Sequence, residues 1–95
     1  MSAFSYEDSV YASLKLENAP KKKIADFTDG VPVTVTFTAY DAEGAVLQED
    51  RVAGKYEGNE LFVRTTFTDY DILKVGAVCV LRDSYASLET IIEKR

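Results

Sequence analysis

Residues 60–92, E-L-F-V-R-T-T-F-T-D-Y-D-I-L-K-V-G-A-V-C-V-L-R-D-S-Y-A-S-L-E-T-I-I, restrict the fold more than any other stretch, reading as strand, acidic bend, strand, tight turn and strand. Leu61, Val63, Thr65 and Phe67 alternate with Phe62, Arg64, Thr66 and Thr68, which is the period of two of a half-buried strand. Residues 77–81 are apolar throughout. A run that short, bounded by Lys74-Val75-Gly76 and Arg82-Asp83-Ser84, fits a strand covered on both faces better than a helix. Val80 and Leu81 are then expected at the centre of a sandwich or barrel.

The rest of the chain supplies strands to pair with these. Val31, Val33, Val35 and Phe37 alternate with Thr34, Thr36, Thr38 and Tyr40, and Pro32 belongs at the strand's beginning, where a missing N–H does least harm. Asp41-Ala42-Glu43-Gly44 reads as a turn, residues 45–52 as a returning strand and residues 53–59 as a loop. After the bend at residues 69–71, residues 72–76 offer a single helical turn with Ile72 and Leu73 under the sheet. Strands over 77–82 and 85–92 close the chain as a hairpin. Short strands with turn signals at this spacing indicate an antiparallel sandwich or barrel.

Residues 5–17 read two ways. Ser5-Tyr6-Glu7-Asp8 resembles a helix cap, with Tyr6, Val10 and Leu14 on one helical stripe, and the preferred reading is a short helix ending near Ser13. The same stretch offers Val10, Ala12, Leu14 and Leu16 at strand spacing. Residues 18–30, with Pro20, Lys21-Lys22-Lys23 and Asp29-Gly30, read as a linker. The expected fold is therefore mainly β: a small antiparallel β-sandwich or barrel over residues 31–95, with a short N-terminal helix or arm and linker over residues 1–30. Such an arm needs apolar surface from elsewhere, and neighbouring subunits are the natural supply.

The chemistry of the side chains mostly excludes functions. Sixteen acidic against eleven basic residues give a net charge of −5, against binding by neutralising nucleic-acid phosphates. The lysines at 21–23 are the sharpest basic feature, and their plain reading is a solvated linker. There is no histidine, the commonest general base and transition-metal ligand. The single cysteine, Cys79, sits in an apolar run with no imidazole to activate it, so it reads as a packed small hydrophobe. It cannot form an internal disulfide, which with the absence of an apolar leader favours a reducing compartment. Nothing approaches the roughly 20 apolar residues that span a bilayer as a helix. Gly54-Lys55 is no phosphate loop, since Glu49 and Tyr56 stand where glycine and Ser or Thr belong. Asp69-Tyr70-Asp71 is no calcium loop, since Leu73 and Lys74 stand at ligand and glycine positions, and it reads as a capped turn. No enzyme, cofactor or metal is expected. What remains is six tyrosines, Tyr6, Tyr11, Tyr40, Tyr56, Tyr70 and Tyr85, and tyrosine with arginine is the composition of binding surfaces.

Leu61-Phe62-Val63-Arg64-Thr65, followed by Leu73-Lys74-x-Gly76 and an apolar strand, resembles the small head-completion (head-to-tail joining) proteins of lambda-like long-tailed phages. The order of parts is similar from about residue 31 onward, to a closing hairpin with a central aromatic, here Tyr85. Ala77 departs from the acid common there, and the C-terminal extension of some members is not expected. The resemblance implies a structural virion protein of the neck: a ring, usually hexameric, beneath the capsid's connector or adaptor ring. Such a ring meets the tail terminator or tail tube protein, DNA passing through its lumen without sequence-specific binding. It implies host cytoplasm during assembly and no membrane. It also implies that residues 4–16 and 41–59 are mobile until assembly. The candidate interface residues are then Phe4, Tyr6, Val10, Tyr11 and Leu14 from the arm, Glu49, Asp50, Arg51, Lys55 and Tyr56 from the loop, and Arg64. A tail terminator, or a small acidic phage-encoded inhibitor of a host protein, are the alternative readings.

Overall fold

The computed structural model describes residues 1–17, 32–57, 60–81 and 84–94, and among them every regular element is a strand. A three-stranded meander is the frame: β3 (Pro32–Tyr40), β4 (Val46–Glu57) and β5 (Glu60–Thr68). A hairpin of β1 (Ser2–Tyr6) and β2 (Ser9–Glu17) adds to β5, in a register running from Ser9 opposite Thr68 to Glu17 opposite Glu60. A second hairpin, β6 (Lys74–Leu81) and β7 (Ser84–Ile91), adds to β3, from Thr34 opposite Val80 to Tyr40 opposite Lys74. The short β8 (Glu93–Lys94) follows β7 after one residue and runs parallel to β1, while every other pair is antiparallel. The strand order is β7-β6-β3-β4-β5-β2-β1-β8. The chain thus crosses between two sheets on both flanks, along β4 on one and through β7 and β8 on the other, in a small β-sandwich-like fold.

Alternation of side chains decides which faces meet. Val33, Val35, Phe37 and Ala39 of β3, and Val75, Ala77 and Cys79 of β6, pack against Val10, Ala12 and Leu14 of β2 and Leu61, Val63 and Phe67 of β5. Full burial of each large member is worth about 1.5–3 kcal/mol. β4 has to turn from β3 onto β5 within one strand, and Gly54 is the residue that allows it. A Cβ there would collide with Val63 Cγ1 and stand 3.3 Å from Leu61 Cδ1. Where the sheets part beside β4, polar groups bridge them: Thr65 Oγ1 donates to Asp50 Oδ2, and Thr68 N donates to Gln48 Oε1 at 3.3 Å.

The expected strands at 31–40 and 61–67 are present, as β3 and β5, and the turn after Tyr40 is held by Asp41, whose Oδ1 accepts from Glu43 N at 2.8 Å and Ala45 N at 2.9 Å. Four expectations are corrected. The helix over residues 5–13 is a hairpin: the apparent cap is its turn, with Glu7 at a left-handed φ of 55°. Pairing with β5 satisfies the backbone along all of β2 and buries Val10, Ala12 and Leu14, which a short isolated helix does not achieve. Accordingly residues 1–17 are no arm seeking shelter on another subunit; they are built into the body. Residues 53–57 are strand, not loop. Residues 72–76 form no helical turn: Ile72 is buried between the sheets, Leu73 is exposed, and β6 begins at Lys74. The run 77–81 is covered on one face only, because Val78 is 38% exposed. The linker expected over 18–30, with Lys21, Lys22 and Lys23, lies outside the described residues, as do the side chains of Val80 and Leu81.

Candidate docking site

The outer face of β1, β2 and β5 carries more apolar surface than the fold uses. Strand alternation sends Ala3 and Ser5 of β1, and Val10, Ala12 and Leu14 of β2, inward, so Phe4, Tyr6 and Tyr11 go outward. On β5 the same rule buries Leu61 and Val63 and leaves Phe62 and Arg64 outside. Tyr11 lies opposite Thr66, Ser13 opposite Arg64 and Lys15 opposite Phe62. Because Ser13 is small, the surface dips between these larger side chains. The result is an open depression lined by Phe4, Tyr11, Ser13, Phe62, Arg64 and Thr66.

Phe4 and Tyr11 stack with ring centroids 5.3 Å apart and form one wall. Phe62, 52% exposed, is the opposite wall. Arg64 stands between them. Ion pairs among the described residues include Lys15 to Glu60 at 3.8 Å, Arg51 to Glu49 at 3.8 Å and Lys74 to Glu89 at 3.2 Å, none of which involves Arg64. A guanidinium without a partner beside flat apolar rings is the arrangement in which a docking group gains both buried apolar area and a charge-assisted hydrogen bond.

The expected interface residues are thus divided. Phe4, Tyr11 and Arg64 come together in the depression, and Tyr6, 54% exposed, lies on the same face near the hairpin turn. Val10 and Leu14 are corrected: at 0% and 1% exposure they are core, since strand spacing turns them away from the face that helical spacing would have shared with Tyr6. Glu49, Asp50 and Arg51 are exposed on β4 and do not line the depression, although Asp50 accepts a hydrogen bond from Thr65, which does. Lys55 and Tyr56 pair through their backbones in β4, and their side chains lie outside the described residues. Phe62 is the member that sequence reasoning passed over, although the alternation in L-F-V-R-T already places it beside Arg64.

Reactive groups are few elsewhere. Among the described residues no group of three or more His, Cys, Asp or Glu is placed to hold a metal ion. Cys79 is wholly buried, and burial pushes its thiol above the ordinary value of 9.0, which keeps it protonated and inert at neutral pH. No helix among the described residues is long and apolar enough to cross a membrane. Compared with family models, curated proteins and solved structures, the chain matches none.

Proposed function

We propose that this chain is a structural, non-enzymatic protein that works by docking the outer face of β1, β2 and β5 onto a protein partner. The supporting observation is that three aromatic rings and Arg64, which no described residue pairs, stand around one depression while the fold meets its own burial needs on the other side of the same strands. Exposed patches of this composition are where interfaces concentrate their binding energy.

The specific setting we propose is the phage neck, as a ring that completes the DNA-filled head and receives the tail. Its support is the L-F-V-R-T run and its place before Leu73-Lys74-x-Gly76, together with an acidic balance that suits a lumen through which DNA must slide. A mobile N-terminal arm is no part of that support, since residues 1–17 are sheltered in their own chain. Particles made without the protein are expected to hold packaged DNA and to lack tails; normal infectious particles without it would remove the neck role.

A second reading, an acidic inhibitor of a host protein, is favoured by the acids gathered at one end of the molecule, Glu7, Asp8, Asp69 and Asp71. Stoichiometric capture of one host nuclease, lost on neutralising those acids, would select it.

A further inference from the structure

The same end of the molecule carries a group that suits the depression. In the loop between β5 and β6, Tyr70 is 66% exposed and flanked by Asp69 and Asp71. Its backbone is fixed on both sides. Asp69 N donates to Asp8 O at 2.9 Å, tying the loop to the β1–β2 turn, and Asp69 Oδ1 accepts from Ile72 N at 3.3 Å. Ile72 is buried, and Asp71 takes a left-handed φ of 60°, so the chain turns sharply beneath Tyr70 and holds the ring outward. Glu7 and Asp8 of the neighbouring turn are also exposed. The loop is therefore a knob with an aromatic tip and an acidic rim, while the depression is an aromatic hole with Arg64, which no described residue pairs.

Resting on the docking-face reading above, we infer that the occupant of the depression is a second copy of this chain, which inserts Tyr70 between Phe62 and the Phe4–Tyr11 stack and sets Asp71 against Arg64. The argument is charge complementarity on an otherwise acidic protein. With a net charge of −5, most arrangements of two copies repel, and Arg64 is the described cation that stands unpaired among the exposed rings. Knob and hole are different surfaces of one molecule, so the contact is head-to-tail. Such contacts generate a ring when the rotation closes and an open filament when it does not. One tyrosine and one ion pair make a weak contact, and closure of a ring compensates by making the last contact intramolecular.

Amide spectra of the isotopically labelled chain, recorded from micromolar to millimolar concentration, test this. Expected are concentration-dependent shifts at Phe62 and Arg64 together with shifts at Tyr70 and Asp71. Arg64→Glu should weaken the association about tenfold or more, and Arg64→Glu with Asp71→Lys should restore most of it. Phe62→Ser gives the same loss without a charge change, and near-UV circular dichroism verifies that each variant is folded. Association that persists unchanged in Arg64→Glu and Phe62→Ser, or shifts confined to other surfaces, would overturn the inference and leave a ring built through another contact. Shifts that never depend on concentration would overturn it and leave a docking face whose partner is a different protein, found by the tail-joining test rather than by self-association.

Discussion

The two hairpins that flank the meander are built alike and differ on their outer faces. Each adds two antiparallel strands to one edge, β1–β2 to β5 and β6–β7 to β3, and the strand next to the meander, β2 or β6, buries its inward residues in the shared core. Outside, however, the β6 side is covered around Gly76 by its own side chains, while Val78 farther along β6 and Ile91 at the end of β7 stay exposed. A Cβ on Gly76 would stand 3.4 Å from Tyr40 Cε2, the Lys74 ammonium lies 4.9 Å from the Tyr40 ring centroid, and Lys74 also pairs with Glu89. Tyr40 there covers a glycine, as aromatic residues do across sheet positions that lack a side chain. The β1–β2 side leaves Tyr11, stacked on Phe4, 39% exposed and Phe62 52% exposed. The lesson is that tyrosines equal in a sequence count divide into those that complete the fold and those left for contact.

The largest expected effect tests whether the hairpins are energetically alike. Leu14→Ala on β2 should destabilise the chain by about 2–5 kcal/mol, because it opens a cavity where Leu14 is fully buried. Denaturant unfolding measures it, and a loss near zero would make β1–β2 a detachable arm after all. Gly54→Ala, at the corner where β4 passes from one sheet to the other, should cost about 1–3 kcal/mol by overpacking Val63.

Less of the first hairpin than of the second was legible in the sequence, for a physical reason. Residues 77–81 announce a strand because they are continuously apolar and too short for a buried helix. On β1 and β2 the inward positions include Ala3, Ser5 and Ala12, whose small size lets the sheets approach but sends little hydrophobic signal, while the strongly apolar rings point outward. Ser5-Tyr6-Glu7-Asp8 has the residue types of a helix cap and of a tight turn alike, and only the pairing partner β5, about fifty residues on, selects between them. The same blindness moved Val10 and Leu14 into the expected interface and left Phe62 out, since a helical stripe and a strand face group different residues.

Smaller effects separate the outer faces. Tyr40→Ala should cost about 1–2 kcal/mol, removing a ring that packs on Gly76 and carries Lys74. Phe62→Ser should stay within about 0.5 kcal/mol of the parent, since a half-exposed ring on the outer face adds little. Equal losses at the two positions, read by thermal unfolding, would erase the distinction between a completed face and a spare one.

The smallest effect is a pH dependence carried by the second hairpin. Burial raises the Cys79 thiol above 9.0, so its contribution is fully present below that pH and is lost as the pH rises through the raised value. Cys79→Val should therefore flatten part of the alkaline fall in stability and change nothing at neutral pH; an unchanged alkaline limb would mean that other groups dominate it.

Native-state hydrogen exchange on the dilute monomer tests the central claim most directly, because it compares the hairpins amide by amide. The amides that bond across the β2–β5 ladder, along residues 10–16, should exchange only through global opening, with protection equal to that of β6 amides bonded to β3. Rapid exchange over β1 and β2 while β6 remains protected would contradict it, returning residues 1–17 to the role of an arm that needs another molecule to fold upon.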